Sequence, residues 1–382
     1  MKDIIYISEN KIFVRKDGRP LELPSQRVEK YKKAVESIRK RNEWKNSGKG
    51  AQFMGTYRHY GDAAETDAYI SGLAKYEDGF LYSINLDDVA WIYKKTTDKN
   101  DIEGHITAKD KLQIRDIDIH GDKCTASVGS RETRSLAVFE LSTGSFNELT
   151  EGDTREDFPS FSKKYNRIMF SSSGLARYPN GVAVAGPYAA MAFDIDKGEM
   201  EELFSDSRFD FIRVKEDSSG NIYCIKRPYG GEKNENIFLD ILLFPWRMIK
   251  AIFGFFNFFA IMFGGQSLRS NKDPQTSANM KMKQKSEREM FIDGNVINAE
   301  QAYNLNKQKG EKFPGLIPHS WELIKIDCYD GGHTCLKKGV LDYTVCEDGS
   351  ILYSNGHAII KLSDGKEELV EKCRLASNIV EL

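Results

Sequence analysis

Apolar and polar positions alternate with a period of two over most of the chain, in short runs separated by clusters of Gly, Asp, Asn and Ser, the pattern of half-buried strands joined by tight turns. Two kinds of hairpin recur. One is an apolar strand, a turn carrying glycine and a short strand ending in Leu: VRKDGRPLEL (14–23), LSTGSFNEL (141–149), DIDKGEMEEL (194–203) and KLSDGKEEL (361–369). Gly18, Gly144, Gly198 and Gly365 supply the positive φ that such turns demand. The other is an alternating strand, a polar turn and a second strand: LAKYEDGFLYSI (73–84), IDIHGDKCTASV (117–128), FPSFSKKYNRIMF (158–170), FIRVKEDSSGNIYCI (211–225) and YTVCEDGSILYS (343–354).

Joined end to end, the two hairpins make four-stranded meanders at about 67–108, 112–150, 155–205, 208–337 and 340–370. A sixth needs both ends of the chain. ASNIVEL (376–382) reads as its first strand, and IIYIS, KIFVR and PLEL near the N-terminus as the three that follow. The expected fold is therefore all-β: a six-bladed β-propeller whose first blade is closed by the N- and C-termini, built from 1–24, 67–228 and 321–382. Two insertions, 25–66 and 229–320, interrupt it, and without them about 42 residues remain per blade, the period of propeller repeats.

The segment DFPSFSKKYNRIMFSSS (157–173) resembles the WD40-like repeat of TolB-type β-propellers through Pro159, Phe161, Ser162, Asn166, Ile168, Phe170 and Ser171. The preceding LSTGSFNELTEGDT is similar to the same family's strand–turn–strand, so the resemblance spans about one and a half blades. Lys163, Lys164 and Tyr165 stand where the family usually has a Pro-Asp-Gly turn. The resemblance implies a six-bladed ring acting mainly as a binding platform, and function has to be sought in particular sites.

Both insertions look helical and adhesive. In the first, Ser25 is placed as an N-cap, with Val28, Tyr31, Val35 and Ile38 at helical spacing. Arg27 to Lys49 holds nine basic and three acidic residues inside a chain of net charge −2. Lys32, Lys33, Lys40 and Arg41 are accordingly candidates for contact with anionic lipid or an acidic partner. The second insertion contains NIFLDILLFPWRMIKAIFGFFNFFAIMFGG (236–265), where Pro245 would open a helix carrying Trp246, Phe253, Phe255, Phe256, Phe258, Phe259 and Phe263, with Arg247 and Lys250 on its narrow polar stripe. A single span is topologically awkward, since the chain must return to the same ring; a helix lying in the membrane interface fits better. Beyond it, 266–315 is polar and lysine-bearing, with a helix expected near Ala299–Lys307.

The near-balance of 55 basic and 57 acidic residues argues against nucleic acid as the main partner. Six cysteines without a CxxC read as free thiols, and no apolar h-region follows the first residues, so a cytoplasmic, peripheral membrane protein is expected. Chemistry is sparse. Asp116, Asp157, Asp210 and Asp342 open innermost strands and could ring the mouth of the central channel, holding a cation, a basic partner group or neighbouring arginines such as Arg115, Arg155 and Arg208. No nucleophile motif and no cofactor signature is present. The expected function is a non-enzymatic scaffold attached to a membrane surface or a membrane protein. A metal-dependent hydrolase using those aspartates, and a soluble subunit whose apolar helix docks into a partner protein, are the alternatives.

Overall fold

A computed structural model describes residues 3–46, 68–86, 89–99, 101–130, 132–177, 183–230, 289–327 and 332–382. The alternating runs are antiparallel strands, and sheet after sheet is a meander. β1 (Ile4–Ser8), β2 (Lys11–Lys16) and β3 (Arg19–Leu23) share a sheet with β27 (Ser377–Glu381), in the order β27-β1-β2-β3. Ile4 pairs with Glu381 and Ile5 with Val380, so the two ends of the chain lie in one sheet. Helix α1 (Gln26–Asn46) leads to a second sheet of β4 (Ala68–Tyr76), β5 (Gly79–Leu86), β6 (Val89–Lys95) and β7 (Gly104–Asp110).

The next sheet has nine strands: β8 (Gln113–His120), β9 (Lys123–Gly129), β10 (Arg134–Glu140), β11 (Phe146–Glu148), β12 (Thr154–Phe161), β13 (Arg167–Arg177), β14 (Ala183–Ala185), β15 (Ala189–Asp194) and β16 (Glu199–Phe204). Its two halves are joined by a single parallel bridge, Arg134 to Arg155, between β10 and β12. β17 (Phe209–Glu216), β18 (Ile222–Pro228), β21 (Glu322–Ile326) and β22 (His333–Lys338) form another four-stranded sheet, and β23 (Asp342–Val345), β24 (Ile351–Ser354), β25 (Ala358–Ser363) and β26 (Lys366–Lys372) the last. The described residues thus show a propeller-like arrangement with four separate four-stranded blades, not the six the repeat period predicts; the bridge at Arg134 merges the remaining strands into one sheet.

Apolar side chains are sandwiched between consecutive sheets. Ile5, Val14, Leu73, Phe80 and Tyr82 join the first and second. Leu81, Ile92, Ile114, Cys124 and Phe139 join the second to β8–β11. Met169, Ala190, Phe211, Val214 and Ile324 pack β13 and β15 on the β17–β22 sheet, and Tyr6, Leu352, Ile359 and Val370 return to the first. Fully burying such a side chain contributes about 1.5 to 3 kcal/mol, so the interfaces between sheets are the core.

Residues 230–301 form a compact unit of their own. Its described part is a hairpin of β19 (Glu289–Ile292) and β20 (Asn295–Asn298), turning at Asp293 and Gly294 with φ of 45° and 87°, the mirror-image turn that matches strand twist. Asn298 caps α2 (Ala299–Gln308) by accepting the Gln301 N–H at 3.0 Å, so the helix expected near 299–307 is present. Cys124, Cys224 and Cys346 are buried free thiols, whereas Cys335 on β22 is exposed; Cys328 lies outside the described residues.

Candidate functional site

Among the described residues, and apart from the single bridge of β12 to β10, the innermost strand of each meander has one edge facing the ring axis without a ladder, so its backbone groups need other partners. Side chains of the neighbouring meander provide them. Asn10 donates to the Ala68 carbonyl and accepts from Ile70 N–H. Asn85 does the same for Ile114, and Ser71 also donates to that carbonyl. Ser127 donates to Glu156 O, Asp118 accepts from Phe161 N–H at 2.7 Å, and Ser160 donates to Val214 O at 2.9 Å. Tyr343 donates its hydroxyl to Arg213 O, and Asp342 accepts from Asn378 N–H. Tethers therefore run from meander to meander around the axis.

Most innermost strands are also bulged. β4, β8, β12, β17 and β27 each carry one residue more than the partner strand opposite. The bulges fall at Ser71, Asp116, Phe158–Pro159, Arg213–Val214 and Asn378–Ile379, and Phe158, Arg213 and Asn378 take φ of 57°, 58° and 50°. A bulge turns a side chain off the alternation of its strand. Here it brings Asp116, Phe158, Arg213 and Asn378 to the lining of a central cavity of ≈ 280 Å³.

Deep in that cavity the Arg213 guanidinium lies 4.3 Å over the Phe158 ring, 3.4 Å from Asp342 and 4.0 Å from Asp116. Higher on the same wall, Lys215 donates to Tyr343 O at 2.9 Å and Lys163 to Val345 O at 3.0 Å, so two ammonium groups sit on alternate carbonyls of β23. Asp118 stands within electrostatic reach of both; burial pushes its carboxyl above the usual range, and burial pushes Lys215 below the usual amine range. Glu347 and Glu381 line the cavity as well, Glu381 accepting the Glu347 N–H at 3.3 Å. Lys75, Lys163 and Glu347 are exposed and lie at or beyond the ends of their strands, so the cavity opens on the side of the turns that follow the innermost strands.

That side is the reverse of the expectation, in which the four aspartates ring a mouth at the strand starts. Asp116 and Asp342 line the cavity from its deep end; Asp157 and Asp210 do not line it. Both engage arginines, but not those adjacent in sequence. Asp157 is bonded by Arg134 and by the Tyr188 hydroxyl, Asp210 by Arg227 at 3.0 Å. Although burial works against its charge, these donors hold the Asp157 carboxyl below the usual range. Arg155 instead donates to Glu132 O, and Arg208 pairs with Asp206. The reason is geometric: Arg134 and Arg227 reach across from paired strands, where facing residues are neighbours, whereas successive residues of one strand point apart. Among the described residues no three His, Cys, Asp or Glu side chains converge as ligands for a metal ion.

α1 begins in a buried polar socket. Ser25 accepts the Val28 N–H, the Glu103 carboxylate accepts Gln26 N–H at 2.7 Å and Arg27 N–H at 3.1 Å, and Lys95 donates to Pro24 O. A carboxylate on the first amides of a helix satisfies donors the helix cannot. Val28 is buried and Tyr31 packs on the interface between the first two sheets, but Ile38, next on the same stripe, is 54% exposed. The helix thus leaves the body after its first turns. Lys32, Lys33, Lys40 and Arg41 are all exposed on it. Trp246, Arg247, Lys250, Phe253, Phe255, Phe256, Phe258, Phe259 and Phe263 lie outside the described residues.

No family model and no curated protein sequence matches the chain. Solved structures do. Over 99% of its length the chain aligns with the crystal structure of TolB from Acinetobacter baumannii, at a TM-score of 0.51 and 12% identity. The fold is a TolB-like β-propeller. This chain spans 66% of that TolB chain, slightly under two thirds. A nidogen/laminin complex aligns over 100% of this chain and 99% of that one with a TM-score of 0.49 and 8% identity; a putative TolB from Agrobacterium tumefaciens covers 59% and 66% at 0.35 and 14%. These last two are too distant to carry an argument. Within the TolB-like propeller the lysine-bearing turn at 163–165 has a local explanation. Lys163 reaches β23 and Lys164 donates to Ser219 O at 2.8 Å, tying the turn to two other sheets. The residues that sequence reasoning missed, Asn10, Asn85, Asp118, Arg134, Arg213, Lys215 and Arg227, mostly act on partners in another strand or sheet.

Proposed function

We propose that the chain is a non-enzymatic β-propeller scaffold of six blades, held peripherally at the cytoplasmic surface of a membrane by α1 together with the apolar segment 236–265, where it presents the ring to a protein partner. The count of six treats the nine-stranded sheet as two blades fused at one bridge, and is supported by innermost strands β27, β4, β8, β12, β17 and β23 all lining one cavity. The observation that carries the attachment is the exposed, basic part of α1 beyond a base locked into the propeller. A helix needed only for packing would bury its whole stripe, whereas here the stripe emerges at Ile38 among lysines and arginines. Engagement of Asp157, Asp210, Asp116 and Asp342 by arginines supports a structural part for them in place of catalysis.

Lysine or arginine near an anionic surface contributes about 1 kcal/mol each, so changing Lys32, Lys33, Lys40 and Arg41 to Gln should weaken binding to phosphatidylserine vesicles by up to about a thousandfold at low salt and less at high salt. Flotation of the intact chain measures this. Deletion of 237–265 should leave a folded propeller that floats poorly at any salt. A protein that never floats with anionic vesicles, or whose flotation ignores both changes, removes the membrane from the proposal.

A further inference from the structure

The polar wall of the central cavity has an order along β23. Lys215 is held at the carbonyl of residue 343 and Lys163 at that of 345, while Glu347 follows two positions later and meets Glu381. Strand rise places alternate carbonyls about 7 Å apart. Two ammonium groups at that spacing can each meet one oxygen of a carboxylate or phosphate, and each has three protons of which the carbonyl takes one. Past the end of β23, in the turn that follows it, Glu347 and its partner Glu381 bring two carboxylates to the lining of the same cavity. A cavity of ≈ 280 Å³ lies at the lower limit of ligand pockets and admits a small molecule rather than a folded element.

We propose that the central cavity is a binding site for a small zwitterion of dipeptide length, its oxyanion bridging Lys215 and Lys163 and its cationic end meeting Glu347 and Glu381. Neither charge alone suits the site. Asp118 offsets part of the lysines' charge, so a single-charge ligand gains at one end only, and selectivity comes from a ligand that meets the ammonium pair and the two glutamates together. Arg213, stacked on Phe158 and bracketed by Asp342 and Asp116, floors the cavity and limits the ligand's length. The site is independent of membrane attachment and is testable on the intact chain without lipid.

The probe is 6-aminohexanoate, compared by titration calorimetry with hexanoate and hexylamine, which keep its length and lack one charge each. Binding of the zwitterion at about 1 mM or tighter, with both single-charge probes at least tenfold weaker, is the expected result. Lys163→Met, at an exposed turn, and Glu381→Gln should each weaken the zwitterion about tenfold while the far-UV circular dichroism of each variant stays that of the folded parent. Equal binding of the three probes, unchanged binding in both variants, or no heat from the zwitterion in the millimolar range would overturn the proposal.

Discussion

Asn85 is the tether on which the seam between the β4–β7 sheet and β8 depends. It is fully buried; its Nδ2 donates to Ile114 O at 2.7 Å and to Ser71 Oγ at 2.8 Å, and its Oδ1 accepts Ile114 N–H at 2.8 Å. Ile114 is fully buried as well, so water cannot replace those partners. Each buried backbone group left unsatisfied costs about 1 to 3 kcal/mol; Ser71 still reaches the carbonyl, so Asn85→Ala should cost about 3 kcal/mol in all. Asn10 makes the matching pair of bonds to Ala68 O and Ile70 N–H but is itself exposed, so Asn10→Ala should cost about 1 kcal/mol. Urea midpoints of the two variants give the comparison, and amide exchange reports the place: protection should fall first at Ile114 and its neighbours in β8. Asn85→Leu keeps the volume and removes the bonds. If it is as stable as the parent, or if Asn85→Ala costs no more than Asn10→Ala, side-chain capping of the open edges is not what closes the ring.

Glu103→Ala removes the acceptor for the first amides of α1 and strands Lys95, whose side chain is 1% exposed, so it should cost about 3 kcal/mol by urea denaturation and raise amide exchange at Gln26 and Arg27. The Asp157 carboxyl is held below its unfolded value near pH 4; its stabilising contribution is therefore complete above about pH 4 and lost as pH falls through the lower folded value, and Asp157→Asn should flatten that acid limb of a stability profile. Arg134→Leu alone should cost about 3 to 5 kcal/mol by leaving Asp157 buried, and Arg134→Leu with Asp157→Leu distinctly less, measured as a double-mutant cycle. Gly72→Ala should cost about 1 to 3 kcal/mol and lower the melting temperature, because a Cβ there would lie 2.9 Å from Ile117 N and from Ser83 Oγ, where β4 crosses β8.

Strand runs and turns were legible because they are local. The turn glycines at 18, 144, 198 and 365 have φ between 68° and 79°, as their hairpins require. The pairing of 377–381 with 4–8 followed from an odd strand left at each end. The number of separate sheets was not legible, since one parallel bridge between Arg134 and Arg155 depends on how closely two meanders approach and leaves no trace in periodicity. Nor was the pairing of the aspartates. Proximity in sequence nominated Arg155 and Arg208, while Arg134 stands 23 residues from Asp157 and Arg227 17 from Asp210. The bulges were hidden too, because one extra residue shifts the phase of alternation without removing it. A usable sign was present in QIRDIDIH, where Asp118 stands between Ile117 and Ile119 in the middle of a strand.

Bulging, tethering and the polar cavity are connected. Innermost strands crowd around one axis, and a regular strand would send its alternate side chains into that space or into the sandwich between sheets. One extra residue per strand instead re-aims a single position. Phe158, Arg213 and Asn378 accept left-handed φ there, a conformation that costs non-glycine residues about 1 to 3 kcal/mol each and persists only where the surroundings over-determine it. The surroundings do so: Ser160 bonds Val214 O, Tyr343 bonds Arg213 O, and Asp342 bonds Asn378 N–H, each at or beside a bulge. β23 departs from this pattern. Its register with β24 is unbroken, and its inward carbonyls are met by Lys215 and Lys163 instead of a neighbour's Ser or Asn. The long lysine side chains tie β17 and the turn after β12 to β23, and because both ammonium groups also face the cavity they are the groups an oxyanion there would meet.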